Sequence, residues 1–201
     1  SKKKGAEGLI KKAGKFFGPI NCLINNASVF ENDNINNFTV DSWDKHMNVN
    51  LYAPLKFSKD LKKLLPAKSK GHIINILDQN VLKSGTTFLS YSLSKAALHS
   101  ATKILAKSFA PNIRVNAIAP SLVDWEQHPS GDYYRDNPDR KPTEPKSTPP
   151  EQTEHEKFVA WSTGPESLPL GRAATFDEMA NAAVFLASDA SSYVTGSILC
   201  V

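Results

Sequence analysis

Apolar residues recur at helical spacing over residues 6–17 (Leu9, Ile10, Ala13, Phe16, Phe17), and the run stops at Gly18-Pro19, so a helix is predicted to end there. The short apolar run INCLI (20–24) predicts a strand that leads into Asn25 and Asn26. TVDSWDKHMNVNLYAPLKFSKDLKKLL predicts one long helix with Asp41 as its N-cap, bent at Pro54. HIINIL is a second strand, apolar apart from Asn75. A helix follows over residues 88–109, then the strand IRVNAIA, a helix opening at Thr175, and a last strand, SILCV. Thr175 and Glu178 have the spacing of a capping box.

Strands of nearly continuous apolar content, alternating with helices, predict the α/β class, a doubly wound parallel sheet covered on both faces. The 201 residues suit a single domain, 1–201. Residues 126–166 break the pattern. They hold seven of the thirteen prolines and are strongly polar, so they are expected to form an insert, mobile at its centre, in the region of a substrate lid.

Composition narrows the function classes. The net charge of +4 comes largely from lysines at 2–4, 11–15 and 56–70, which read as wet helix faces, and no nucleic-acid partner is expected. No apolar run is long enough to span a bilayer, and no signal peptide opens the sequence. Cys22 and Cys200 sit in apolar runs and are expected to be buried free thiols in a reducing cytoplasm. The five histidines lack metal-ligand spacing, so no metal is expected.

Candidate chemistry centres on Tyr91 and Lys95, four apart on one helix face. Any helix produces such a pair by chance. A phenol ionises near pH 10 and serves as an acid–base group only when tuned, and a cation one turn away is expected to lower it. Asp78 stands thirteen residues before Tyr91, just after a predicted strand. An ionised carboxylate cannot donate to a carbonyl oxygen and would repel a developing alkoxide. Against a ring nitrogen that must be protonated, a carboxylic acid is useful.

The tyrosine–lysine pair keeps company: LINNAS upstream, SKAAL after it, then IRVNAIAPS and PLGRAATFDEMANAAVFLASDASSYVTGSILCV. Together these stretches resemble the short-chain dehydrogenase/reductase family over about residues 6–201, apart from the proline-rich insert. The resemblance implies a Rossmann-like fold, Tyr91 as the acid–base group, Lys95 on the nicotinamide ribose and Asn50 supporting a proton-relay water. Most members carry Ser where this chain has Asp78. Asp there, Ser28 in place of the usual Gly, and Phe30 where an aromatic sandwiches the substrate are similar to the pteridine reductase and dihydromonapterin (dihydrofolate) reductase branch. NLYAPLKF also agrees with that branch.

The implied activity is NADPH-dependent reduction of a pterin or dihydrofolate. The alternatives are a carbonyl or 3-oxoacyl reductase, or a non-catalytic binding member. By the same resemblance the cofactor meets Asn25, Ala27, Ser28, Tyr91, Lys95, Pro120, Ser121 and Leu122. The substrate meets Ser28, Phe30, Asp78, Phe88, Tyr91, Leu122 and Trp125. A cytoplasmic homotetramer is implied, packed through helices that include Ala96, Ala97, Ser100, Ala101 and Ser108. The family's opening strand and its turn Thr-Gly-x-x-x-Gly-x-Gly do not occur in this sequence, and Gly14-x-x-x-Gly18 precedes a strand instead of following one. The family's first strands are therefore expected to lie outside it.

Overall fold

The computed structural model describes residues 8–81, 85–123, 168 and 170–201. Trp125, the insert at 126–166 and the lysines at 2–4 lie outside the described residues. Helix α1 (Leu9–Phe17) ends at Gly18, whose φ of 80° suits a residue without a Cβ. Strand β1 (Cys22–Asn25) follows, then helix α2 (Val40–His46), a π-helical stretch (Met47–Tyr52) and helix α3 (Ala53–Leu64). Next come β2 (Gly71–Ile76), the long helix α4 (Leu89–Phe109), β3 (Ile113–Ala119), α5 (Phe176–Ala187) and β4 (Ile198–Cys200).

The four strands are parallel and lie in sequence order. Register pairs Asn25 with Asn75 and Asn75 with Ala117. Ile10 of α1, Leu61 of α3 and Ala106 of α4 bury against Ile73, Ile113 and Val115. Leu98 of α4 packs with Leu77, Ala117 and Ala119 beside them. Ile74 and Ile118 point to the other face and bury with Leu186 of α5 and Leu199. Covering helices on both faces make this the predicted doubly wound, Rossmann-like parallel sheet. Packing divides the chain into two units, residues 1–120 with 181–201, and residues 121–180.

Three local expectations are corrected. Thr39, not Asp41, caps α2: its hydroxyl accepts from Ser42 N at 3.1 Å, and its backbone is extended. The long helix does not simply bend at Pro54. It widens into the π-helical stretch just before it, because Pro54 has no N–H with which to close an α-helical bond onto the Asn50 carbonyl. Cys200 is exposed and Cys22 half-buried, since β4 is short and lies at the end of the sheet.

The capping box forms as read, with Glu178 N donating to Thr175 Oγ1 at 3.2 Å and Thr175 N to Glu178 Oε2 at 2.8 Å. Arg172 grips the same carboxylate with both guanidinium nitrogens. Its hydrogen bond, followed by that of the Thr175 backbone, lowers the Glu178 carboxyl to about 2.

Candidate active site

Parallel strands leave their carboxyl ends at one edge of the sheet, and ligand sites of this fold class gather there. The loop after β2 delivers Asp78 to that edge, and the first turn of α4 delivers Tyr91. The Tyr91 hydroxyl donates to Asp78 Oδ2 at 2.7 Å, so the two residues form a direct pair. Phe30 brings its ring edge-on to Tyr91, at 4.7 Å between centroids and 76° between planes. Phe88 lies flat on Phe30 at 4.4 Å and 10°.

Phe88 was expected to meet the substrate, and in the structure its ring is engaged with Phe30. Phe88 is not part of the helix. It is the N-cap of α4 and holds the left-handed conformation, φ 56° and ψ 43°. For a bulky side chain that backbone costs about 1–3 kcal/mol. An aromatic pair returns about 0.5–1.5 kcal/mol. The stack alone does not offset the strain, so other bonds must hold the start of α4.

Lys95 and Asn50 sit beneath this surface and are almost fully buried. Asn50 accepts from Val29 N at 2.7 Å and Ser28 Oγ at 3.2 Å, and donates to Val29 O at 2.9 Å and Ser94 Oγ at 3.0 Å. Its amide therefore latches the loop after β1 to α4. Ser28 avoids the left-handed region, so the backbone has no need of glycine there. Asn25 turns its amide into the sheet, donating to Asn75 Oδ1 at 2.8 Å, and Asn75 passes the chain on to Thr102 Oγ1 at 3.0 Å. Ala27 is exposed. The Pro120 carbonyl accepts from Gln79 N at 3.0 Å and ties the end of β3 to the loop carrying Asp78. Ser121 and Leu122 belong to the other unit, where the Leu122 carbonyl accepts from Ala174 N at 3.0 Å.

The electrostatics reverse one expectation. Tyr91 is pushed well above the usual phenol value, first by burial and then by the neighbouring Asp78 carboxylate, which also accepts its proton in a hydrogen bond. Lys95 does not lower it. The ammonium sits 5.7 Å from the Tyr91 ring centre and donates to the Ile76 carbonyl at 2.8 Å. Burial lowers Lys95 to about 8, with Asp78 opposing the shift. Tyr91 thus rests as a neutral acid.

Asp33, His46, Ser42 and Ser94 join the bonds around this candidate site, and the sequence did not single them out. His46 is fully buried, with Nδ1 bonded to the Ser42 carbonyl at 2.8 Å and Nε2 accepting from Glu31 N at 3.2 Å. Only Ser94, one turn from Tyr91 and next to Lys95, had a legible spacing.

The residues fit a dinucleotide in one observable respect. A lysine ammonium has three donors, and among the described residues the Ile76 carbonyl is the one acceptor that Lys95 Nζ meets. A ribose diol would use the donors that remain.

Comparison with known proteins identifies the family. The model of the short chain dehydrogenase family matches residues 1–130, and that of enoyl-(acyl carrier protein) reductase matches residues 147–201. Galactitol 2-dehydrogenase of Agrobacterium fabrum is 34% identical over 94% of this chain and 69% of its own. A 3-oxoacyl-[acyl-carrier-protein] reductase of Thermotoga maritima is 29% identical over 95% of this chain and 68% of its own. Among solved structures, the alternative dihydrofolate reductase 1 (FolM) of Brucella canis complexed with NADP superposes with a TM-score of 0.73 at 34% identity, over 96% of this chain and 65% of that one. The chain belongs to the short-chain dehydrogenase family. It spans about two thirds of the length of these relatives.

The lowered Lys95 value gives a signed test. Its folded value lies below its unfolded one, so between about 8 and 10.5 the unfolded chain holds more protons, and this group makes stability rise with pH in that window. Reductive 13C-methylation followed by NMR titration should show one amine, absent from a Lys95→Met variant, titrating near pH 8. Titration of that amine together with the surface lysines would contradict the burial described.

Proposed function

We propose that this protein uses NADPH to reduce a pterin or dihydrofolate-type substrate, with Tyr91 and Asp78 together protonating a ring nitrogen. The observation that supports this most is the hydrogen bond between Tyr91 and Asp78. A carboxylate in contact with the catalytic phenol opposes an alkoxide and suits a nitrogen base. The similarity to the NADP-complexed alternative dihydrofolate reductase supports the same reading.

The dinucleotide, when bound, supplies the hydride. Lys95 would hold its ribose, with the turn at Asn25, Ala27 and Ser28 beside it, and the family resemblance adds Pro120, Ser121 and Leu122 to the proposed cofactor set. Asn25 contributes by fixing the turn through Asn75. Tyr91 donates from Oη to the ring nitrogen. Because burial and the Asp78 carboxylate disfavour the phenolate, the proton leaving Tyr91 is replaced from solvent, with Asp78 holding the hydroxyl in place. Phe30, half exposed, offers a flat apolar surface beside the phenol on which a planar ring can lie. Ser28 lies on the loop that carries it, while Phe88, Leu122 and Trp125 complete the proposed substrate set. Asn50 supports the relay by holding the loop and α4 together.

The sugar-alcohol and 3-oxoacyl names of the relatives favour a carbonyl substrate as the second reading. We place both units in one catalytic domain of a cytoplasmic homotetramer. Ile104 and Leu93 on α4 are uncovered, beside the small residues Ala97, Ser100 and Ala101, and no helix among the described residues is long and apolar enough to cross a membrane. Light scattering on the full-length protein checks the assembly, and a monomer at micromolar concentration contradicts it.

A substrate panel followed through NADPH absorbance tests the reaction. Dihydropterin or dihydrofolate should be turned over and acetoacetyl thioesters and ketoses ignored. Tyr91→Phe should leave only a residual rate measurable in single turnover, and Asp78→Asn should slow the reaction by about 10²- to 10⁴-fold. Rapid reduction of a thioester with none of a pterin, or full pterin activity in Asp78→Ser, would overturn the assignment.

A further inference from the structure

Helix α4 carries both Tyr91 and Lys95, yet its own N-cap residue supplies no cap. Phe88 has no hydrogen-bonding side chain, and its backbone is left-handed. The first N–H groups of a helix need acceptors, above all when buried. Here they come from a residue more than fifty positions earlier. The Asp33 carbonyl accepts from Leu89 N at 3.1 Å, and Asp33 Oδ1 accepts from Ser90 N at 3.0 Å.

Asp33 is 4% exposed, and its second oxygen, Oδ2, accepts from Ser42 Oγ at 3.1 Å. Burial alone would raise its carboxyl; the bonds from Ser90 and Ser42 more than reverse that and hold it below its usual value, so it is a stable anion at the positive end of a long helix. The same loop carries Phe30, and Ser42 opens α2, where His46 packs edge-on to Tyr91 at 6.4 Å. One carboxylate thus joins the aromatic surface, α2 and the residue immediately before Tyr91.

We propose that Asp33 is a positioning residue: by capping α4 from the loop after β1, it holds the Tyr91 hydroxyl on Asp78 and keeps Phe88 stacked on Phe30. Asp33 touches no reacting atom. It acts through Ser90, one residue away from the phenol. A loosened first turn would let Tyr91 leave Asp78 while Lys95, one turn deeper and bonded to Ile76, stays in place. The claim rests on Tyr91 being the acid of the reaction, but its first readout does not depend on activity.

In the full-length protein, 3-fluorotyrosine at position 91 gives a single 19F resonance that reports the hydroxyl's surroundings. With Asp33→Ala the resonance should shift and broaden without substrate. Asp33→Asn keeps an acceptor for Ser90 N and should return it close to its original place. Unlabelled Asp33→Ala should lose about 10- to 100-fold in kcat with little change in KM, as expected when a reacting group is misplaced by about an ångström. Ser42→Ala, which leaves both Asp33 bonds to α4 in place and removes the Ser42 hydroxyl from Oδ2 and from His46 Nδ1, should give a smaller shift in the same direction, and it decides the matter if Asp33→Ala does not fold. An unchanged resonance in the folded Ala variant, or an Asn variant as perturbed as the Ala variant, overturns the positioning role. Correct resonance behaviour in a protein that reduces no pterin would contradict the proposed reaction and leave the role of Asp33 standing.

Discussion

The face that α4 turns towards the sheet is polar as well as buried, and that constraint organises the site. Ser90, Tyr91, Ser94, Lys95 and Thr102 all lie inside. Buried polar groups are paired as a rule, because each one left unmatched costs about 1–3 kcal/mol, and among the described residues the Ser90 hydroxyl is the exception on this face. The partners come from separate parts of the chain: Asp33 for the Ser90 amide, Asp78 for Tyr91, Asn50 for Ser94, the Ile76 carbonyl for Lys95 and Asn75 for Thr102. Satisfying α4 thus brings the ends of β1 and β2, the π-helical stretch and the loop after β1 together at the carboxyl edge of the sheet. The proposed catalytic arrangement and the packing of the helix are one set of bonds.

Burial also sets the chemistry. The same dry environment that raises Tyr91 lowers Lys95, and each shift favours the neutral form. Asp78 is the nearby anion that opposes the shift on Lys95 and adds to that on Tyr91. A phenol held neutral against a carboxylate is a donor waiting for a base, which fits a substrate nitrogen better than an oxygen acquiring charge.

Much of this was legible in the sequence where the signal was local. Continuous apolar runs marked the strands, the Thr175–Glu178 spacing marked a capping box that forms as read, and Asp78 thirteen residues before Tyr91 marked the pair. Signals that depend on distant partners were not legible. Asp33 lies in a polar loop like any other, and only the fold shows that its acceptors meet a helix starting at Leu89. Thr39 and Asp41 are both capping types two residues apart, and the folded backbone, with the Ser42 amide on the Thr39 hydroxyl, chooses between them. Lys95 one turn from Tyr91 suggested a lowered phenol, but the outcome depends on how deeply both are buried and on how close Asp78 comes. Phe30 was expected to lie against the substrate, whereas its stacking on Phe88, which holds a left-handed backbone, had no local signal.

The central claim is that Tyr91 and Asp78 deliver the proton as one unit. A double-mutant cycle on the single-turnover rate of pterin reduction, using Tyr91→Phe, Asp78→Asn and both together, measures that coupling directly. The account predicts that the double variant is no slower than the slower single variant, since removing either residue breaks the same device. Rate losses that multiply, as for two independent groups, would contradict it.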